Sequence, residues 1–352
     1  MRPALPELDL DFVLEHTRPF WQQFAEARVF MTGGTGFIGS WLLEVFQHAN
    51  RELSAGTELV VLSRDPRRAQ NAAPHLFLDP SIRLVAGDVS RFDPPGGNFD
   101  LCIHAATDVG DSAKAGRHAE SFNAAVTGTR RVLDLALGCG TRRFLLTSSG
   151  AVYGVQPPDL DKVTEKYPGA PDSLNVGAAY GNGKRAAEWM CAEAASRSTL
   201  ETVSARIFAL VGPGLPLDGP FAVGNFLRDV LAGQPVKVHG DGRPMRSYLY
   251  TADACIWLLA MLQSGIGGQA YNVGAEHSLS IAELAREVVK VGGGSADQPG
   301  IPSAPAAGRI AAAPRYVPDT AKARTELGLE AWTPLAVALQ KTLQWNRLAI
   351  NA

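Results

Sequence analysis

Between residues 27 and 210 the chain alternates two kinds of pattern. Short apolar or β-branched runs recur at 27–33 (ARVFMTG), 58–64 (ELVVLSR), 82–88 (IRLVAGD), 99–106 (FDLCIHAA), 143–149 (RFLLTSS) and 202–210 (TVSARIFAL). They have the length of strands, and their near-continuous apolarity predicts strands covered on both faces. Helix-length stretches separate them: FIGSWLLEVFQHA, AVTGTRRVLDLALG at 125–138, and AAYGNGKRAAEWMCAEAAS at 178–196. Strand and helix in alternation predict an α/β fold with a doubly wound parallel sheet over 27–210. From about 211 the texture changes. Proline and glycine crowd into VGPGLPLDGP and DQPGIPSAPAAG, and strand signals become short and scattered. This predicts a smaller, mixed α/β substrate domain over 211–352, interleaved with the first. Residues 1–26 read as a helical extension packed on the outside, against a partner the sequence does not name.

Composition narrows the partners. With 352 residues, 46% of them hydrophobic, the chain can bury a large core, and its formal net charge of −2 gives no reason to expect nucleic acid or an anionic membrane. The start, MRPALPELDLDF, lacks a basic stretch followed by an apolar one, so a cytoplasmic protein is expected. Cys102, Cys139, Cys191 and Cys255 are widely spaced, which predicts no disulfide framework, no metal site and four small buried side chains.

Candidate chemistry begins at MTGGTGFIGS, where Gly33, Gly36 and Gly39 lie three apart behind the first strand. A strand, a tight glycine turn and a helix N-terminus form a pyrophosphate site, because glycine lets the backbone approach and the helix amides hold the anion. The spacing predicts a Rossmann-type dinucleotide site. The second strand should end at the adenosine ribose, and it ends VVLSRDPRR. Ser63 and Arg64 offer a hydroxyl and a guanidinium fork to a 2′-phosphate, which favours NADP; Asp65 holding the ribose of NAD is the alternative. Asp88, ending LVAGDV, is placed to accept from the adenine amino group, or simply to make a turn.

Tyr180 and Lys184, in YGNGK, are four apart and so share one face of a helix. An ammonium beside a phenol favours the phenolate, which predicts a lowered Tyr180 pKa and a proton exchanged with an alcohol oxygen while hydride moves. The serine-rich end of the fifth strand would bring Ser149 to the same oxygen. Ser148 next to it is a substrate contact or a cap.

At this point the sequence resembles the extended branch of the short-chain dehydrogenase/reductase superfamily, the nucleotide-sugar epimerases, dehydratases and 4-ketoreductases. TGGTGFIG, GDV, IHAAT, NAAVTGTRRVLDLA, TSSGAVYG, YGNGK, RIFALVGPG, GDGRPMRSYLYTADAC and YNVG follow one another in the family's order. The resemblance implies a nucleotide-sugar substrate, a homodimer, Tyr180 as acid/base, Lys184 on the nicotinamide ribose and Ser149 as the assisting hydroxyl. It adds Thr35, Phe37, Ile38, Val89, Ala105, Ala106, Thr107, Asn123, Thr147 and Ile207 to the cofactor contacts. On the substrate side it implies Asp108, Arg246 gripping a diphosphate, and Tyr316 near the nucleotide or phosphates.

Departures from the family shape the reaction expected. The 4,6-dehydratases carry adjacent Asp and Glu where this chain has Gly150 and Ala151, neither of which can transfer a proton. Ala209 replaces an asparagine that meets the sugar diphosphate, and Ser247 stands where aspartate commonly follows the arginine. Reduction of a 4-keto sugar, or epimerisation at position 4, needs only Tyr180, Lys184, Ser149 and a nicotinamide. The alternatives are a dehydratase whose carboxylates come from Asp108, Asp111 or Glu120, and a catalytically silent dinucleotide sensor or scaffold, which a degraded Tyr180 or Lys184 would mark. Both residues are intact.

Overall fold

The computed structural model describes residues 1–107, 116–295, 300 and 313–351. Seven parallel strands form the main sheet: β1 (Arg28–Thr32), β2 (Glu58–Ser63), β3 (Ile82–Ala86), β4 (Leu101–His104), β5 (Arg143–Ser149), β6 (Glu201–Ile207) and a late strand, β10 (Gln269–Val273). Their order across the sheet is β10-β6-β5-β4-β1-β2-β3. The connection direction therefore reverses between β1 and β4, which opens a crevice at their C-terminal ends.

Both faces are covered, as the continuous apolar runs require. Val29 and Met31 of β1 pack on one side with Trp41, Leu42 and Val45 of the helix Phe37–Leu53, while Phe30 between them packs on the other with Val132 and Leu133 of the helix His118–Gly138. The helices Ala179–Arg197 and Thr251–Ser264 complete the two layers.

The strands are shorter than the apolar runs at their C-terminal ends, where the chain turns away to line the crevice. The run 202–210 divides into β6 and a separate short strand, β7 (Leu210–Val211), which pairs with β9 (Leu249–Tyr250). β10 lies past 210, where strand signals are short and scattered; its Asn272 is fully buried and satisfied, the side chain accepting from Tyr153 Oη at 2.7 Å and donating to the Val163 carbonyl at 2.8 Å. A small second sheet, in the order β11-β8-β12, joins β8 (Met245–Ser247) to β11 (Ser278–Ser280) and β12 (Arg315–Tyr316). Among the described residues no helix is long and apolar enough to cross a membrane.

The N-terminal extension has a definite partner. Its helix Glu7–Thr17 lies against the helices Thr251–Ser264 and Phe37–Leu53, and Asp9, wholly buried, accepts from Tyr250 Oη at 2.6 Å and from Lys341 Nζ. Three of the four cysteines are buried as expected. Cys139 is not: it is only half-buried because it caps the helix His118–Gly138 at the surface.

Candidate active site

A cleft of about 1170 Å³ runs along the C-terminal ends of the strands, from the glycine turn to the small sheet. One end is made of backbone. Gly33 has φ +73°, and a Cβ there would lie 2.4 Å from the Ala105 carbonyl carbon. At Gly39 a Cβ would come 2.1 Å from the Gly33 carbonyl oxygen. The turn thus presses on β4 and on the first turn of the helix Phe37–Leu53, leaving a side-chain-free cradle at a helix N-terminus, which suits a pyrophosphate. Thr35, Gly36, Phe37, Ile38, Ala105, Ala106 and Thr107 line this end with them, and Val89, Asn123, Thr147 and Ile207 continue the wall.

At the edge facing β2, Ser63 and Arg64 line the cleft. The Ser63 hydroxyl accepts from the Asp65 amide at 3.3 Å. Asp65 is spent as an N-cap, Oδ1 accepting from the Arg68 amide at 3.0 Å at the start of the helix Pro66–Ala72. Asp88 also lines the cleft, with Oδ1 taken by the Ser90 amide at 2.9 Å, the turn geometry its sequence allowed.

The other end holds hydroxyls. Tyr180, Ser149 and Thr107 line it together, and Ser149 Oγ lies 3.5 Å from Tyr316 Oη. Tyr180 and Ser149 share this spot because the helix Ala179–Arg197 packs against the strand ends of β5 and β6. Burial raises the Tyr180 pKa, outweighing the opposite pull of the Ser149 and Thr107 hydroxyls. This corrects the expectation of a phenol acidified by Lys184. The lysine is buried beneath the floor, donates from Nζ to the Thr147 carbonyl at 2.7 Å, and stands 6.0 Å from the centre of the Tyr180 ring. Burial also lowers the Lys184 pKa to about 8, with Glu188 opposing the shift.

Ser148 points elsewhere: its hydroxyl donates to Glu188 Oε1 at 2.5 Å, although the residue borders the cleft. Arg246 lines the half of the cleft beside the small sheet, donating from Nη1 to the Met245 carbonyl at 2.8 Å, with its guanidinium carbon 5.7 Å from the Tyr316 ring centre. Tyr316 thus reaches past Arg246 to the Ser149 end, and burial pushes its phenol well above the usual range. It also explains Gly150, where a Cβ would lie 2.7 Å from both Tyr316 Oη and Phe208 Cζ. Ala209 borders the cleft, while Ser247 is wholly buried beside Arg246. Asp108 and Asp111 lie outside the described residues. Among those described, the carboxylates bordering the cleft are Asp88 and Glu120, the latter exposed and paired with Arg117 at 3.3 Å.

Several lining residues carried no signal. Phe208, Leu215, Pro216, Phe221 and Tyr248 make the half beside the small sheet largely apolar; Leu215 and Pro216 come from the proline- and glycine-rich stretch after 210, and Phe208 from the end of a run read as a strand. His104 was passed over too. It bridges Thr32 Oγ1 at 2.7 Å and Thr129 Oγ1 at 3.0 Å, and burial, aided by Lys184, holds its pKa near 3, so it is a neutral tie between layers.

A parallel sheet with a glycine-turn crevice and a Tyr-x-x-x-Lys helix defines a Rossmann-fold protein of the short-chain dehydrogenase/reductase type. The sequence profile of the NAD dependent epimerase/dehydratase family matches residues 29–274, and the chain belongs to that family. It is 27% identical over 348 residues to UDP-glucuronic acid decarboxylase 1 of Xenopus tropicalis, covering 99% of this chain and 79% of that one. It is 31% identical over 263 residues to UDP-glucuronic acid decarboxylase 1 of Arabidopsis thaliana, 75% of this chain and 58% of the plant protein. Among solved structures, a dTDP-glucose 4,6-dehydratase from Streptomyces venezuelae with NAD bound superimposes with a TM-score of 0.76 at 25% identity, over 92% of this chain and 98% of that one.

Proposed function

We propose that the protein is an oxidoreductase or isomerase that moves a hydride at position 4 of a nucleotide-activated sugar, reducing a 4-ketone or inverting the centre through one. The observation that carries this reading is the grouping of Tyr180, Ser149 and Thr107 at one end of a cleft whose other end is the glycine cradle. A bound nicotinamide would accept or return the hydride. Tyr180 takes or gives the proton on the sugar oxygen, and the Ser149 hydroxyl holds that oxygen in line. Lys184 supplies a fixed positive charge under the floor, and an ammonium has three donors, of which one is on Thr147. With Gly150 and Ala151 at the strand end, elimination across carbons 5 and 6 lacks its acid and base. Incubation with UDP-glucose, dTDP-glucose, GDP-mannose or CDP-glucose is therefore expected to build up no 4-keto-6-deoxy product, and its accumulation would return Glu120, Asp108 and Asp111 to the reaction.

We further infer that NADP is preferred over NAD. Arg64 borders the cleft, and Asp65, the competing ribose acceptor, is committed to a helix cap. A guanidinium facing a 2′-phosphate is expected to favour NADP(H) by about tenfold or more. Titration of both cofactors should show Arg64→Ala narrowing that gap; equal affinities in the wild type would refute the phosphate pocket.

A second reading is favoured by the curated relatives named above, which are UDP-glucuronic acid decarboxylases. Oxidation at position 4 of a sugar uronate gives a β-keto acid, which loses carbon dioxide without a carboxylate at position 150 or 151. Release of carbon dioxide from UDP-glucuronate would select this reading over ketone reduction and epimerisation.

A further inference from the structure

Directly behind the reacting end lies an ion pair that the proposed chemistry does not use. Glu188, one turn beyond Lys184 on the helix Ala179–Arg197, is nearly buried, as is its partner Arg206 of β6. Glu188 Oε1 accepts from Ser148 Oγ at 2.5 Å and from Arg206 Nε at 3.0 Å, while Oε2 accepts from Arg206 Nη2 at 2.7 Å. Arg206 continues outward, donating from Nη1 to Tyr153 Oη at 2.9 Å, and that hydroxyl donates to Asn272 Oδ1 at 2.7 Å. One carboxylate therefore ties the helix to β5 and β6 and, through Arg206, to β10.

Lys184 and Glu188, one turn apart on the helix, hold consecutive residues of β5, the lysine on the Thr147 carbonyl and the carboxylate on the Ser148 hydroxyl, so the negative charge stands near the ammonium. The other titratable groups around that ammonium are His104 from β4, held neutral by burial, and Tyr180 and Cys191 on its own helix, whose burial raises both pKa values and keeps them uncharged. Arg206 of β6 stands on the far side of Glu188. Among the described groups that act on Lys184, Glu188 is thus the one that is anionic.

We propose that Glu188 is a positioning residue for the Tyr180 and Lys184 pair: its carboxylate locks the helix against the serine end of β5 and against β6, and sets a negative charge one turn from the Lys184 ammonium. The inference rests on the reading of Lys184 as the residue that meets the nicotinamide ribose. Two kinds of role would look alike in a stability measurement. A purely structural carboxylate, once removed, lowers cofactor affinity equally at every pH. A carboxylate that also holds the proton shifts the pH at which affinity is lost.

The test is titration of NADP⁺ and NAD⁺ into wild type and Glu188→Gln between about pH 6 and pH 10, spanning the lysine transition, and it requires no sugar substrate. Wild-type affinity is expected to fall as the pH passes about 8, where Lys184 loses its proton. Glutamine keeps the volume and an acceptor but removes the charge that raises the lysine pKa, so the fall should begin about one pH unit lower. Because Glu188→Gln strands a nearly buried guanidinium, the double variant Glu188→Gln/Arg206→Met serves where the single one does not fold, and a smaller shift in the same direction is expected, since the more distant positive charge leaves with the negative one. A transition at the wild-type pH in either variant overturns the proposal. A wild type that binds neither dinucleotide at any pH overturns the cofactor reading and this inference with it.

Discussion

Tyr180→Phe is expected to cut turnover by about 10²–10⁴-fold, the span associated with a positioned acid/base, while cofactor affinity stays within about twofold. The substitution removes one oxygen and keeps the ring, and with it the packing of the helix Ala179–Arg197 on the strand ends. What it deletes is the hydroxyl that lines the end of the cleft with those of Ser149 and Thr107. Steady-state kinetics on a sugar nucleotide that the wild type converts, together with a cofactor titration, would separate chemistry from binding. Wild-type turnover in the Phe variant would mean the proton travels by another route, through the Ser149 and Tyr316 hydroxyls or a carboxylate of the 108–120 stretch.

The burial of Tyr180 changes what the enzyme must do to use it. The sequence suggests a phenol acidified by its neighbour four residues on, but the structure aims the Lys184 ammonium at the Thr147 carbonyl and raises the Tyr180 pKa through burial. A phenol with a raised pKa is a weaker acid, but it stays protonated at neutral pH, so a proton is in place for the far more basic alkoxide that hydride addition produces. Reduction of a ketone, which needs a donor, suits this resting state directly. Oxidation of an alcohol needs the phenolate, and the positive charge of an oxidised nicotinamide beside the ring would have to draw the pKa down.

The sheet was legible because a strand buried on both faces must be apolar throughout, so β1, β2, β4 and β5 announce themselves in any window of the sequence. The glycine turn was legible for a related reason: at Gly33 and Gly39 backbone presses on backbone, and only glycine fits there. β10 escaped because a buried asparagine sits between its two buried apolar residues, Tyr271 and Val273, and breaks the apolar run. Asn272 satisfies itself with Tyr153 and with the carbonyls of Val163 and Asp319, and no periodicity reports a hydrogen-bond network assembled from four distant segments. The substrate wall escaped for the same reason, since Phe208, Leu215, Phe221 and Tyr248 meet only after the chain past 210 folds back over the sheet. Glu188 and Arg206 were half-visible. The four-residue step from Lys184 to Glu188 places both on one helical face, but the partner strand that gives the carboxylate its purpose could not be read from spacing alone.

The turn that reads most plainly in the sequence also gives the largest expected loss of binding. Gly39→Ala would place a Cβ 2.1 Å from the Gly33 carbonyl oxygen and 2.7 Å from Gly34 Cα, and neither can rotate aside as a side chain end would. The Gly33 carbonyl is already held, accepting from the Gly36 amide at 3.0 Å, and Gly33 itself is wedged against Ala105. The first turn of the helix Phe37–Leu53 must therefore separate from the glycine loop, at a cost of about 1–3 kcal/mol in stability, as for other overpacked sites. The separation also pulls the helix amides off the position where a pyrophosphate would sit, so cofactor affinity is expected to drop about 100-fold or more. Gly36→Ala provides the contrast. Its Cβ would meet only the Gly33 carbonyl oxygen, at 3.3 Å, so stability should change by no more than about 0.5 kcal/mol, while the added methyl stands where the dinucleotide backbone approaches. Thermal unfolding without cofactor, followed by cofactor titration, distinguishes the two: Gly39→Ala should lose in both, Gly36→Ala in the second alone. A Gly39→Ala protein that melts and binds as the wild type does would show that the turn is looser than its contacts imply and that the cradle does not depend on them.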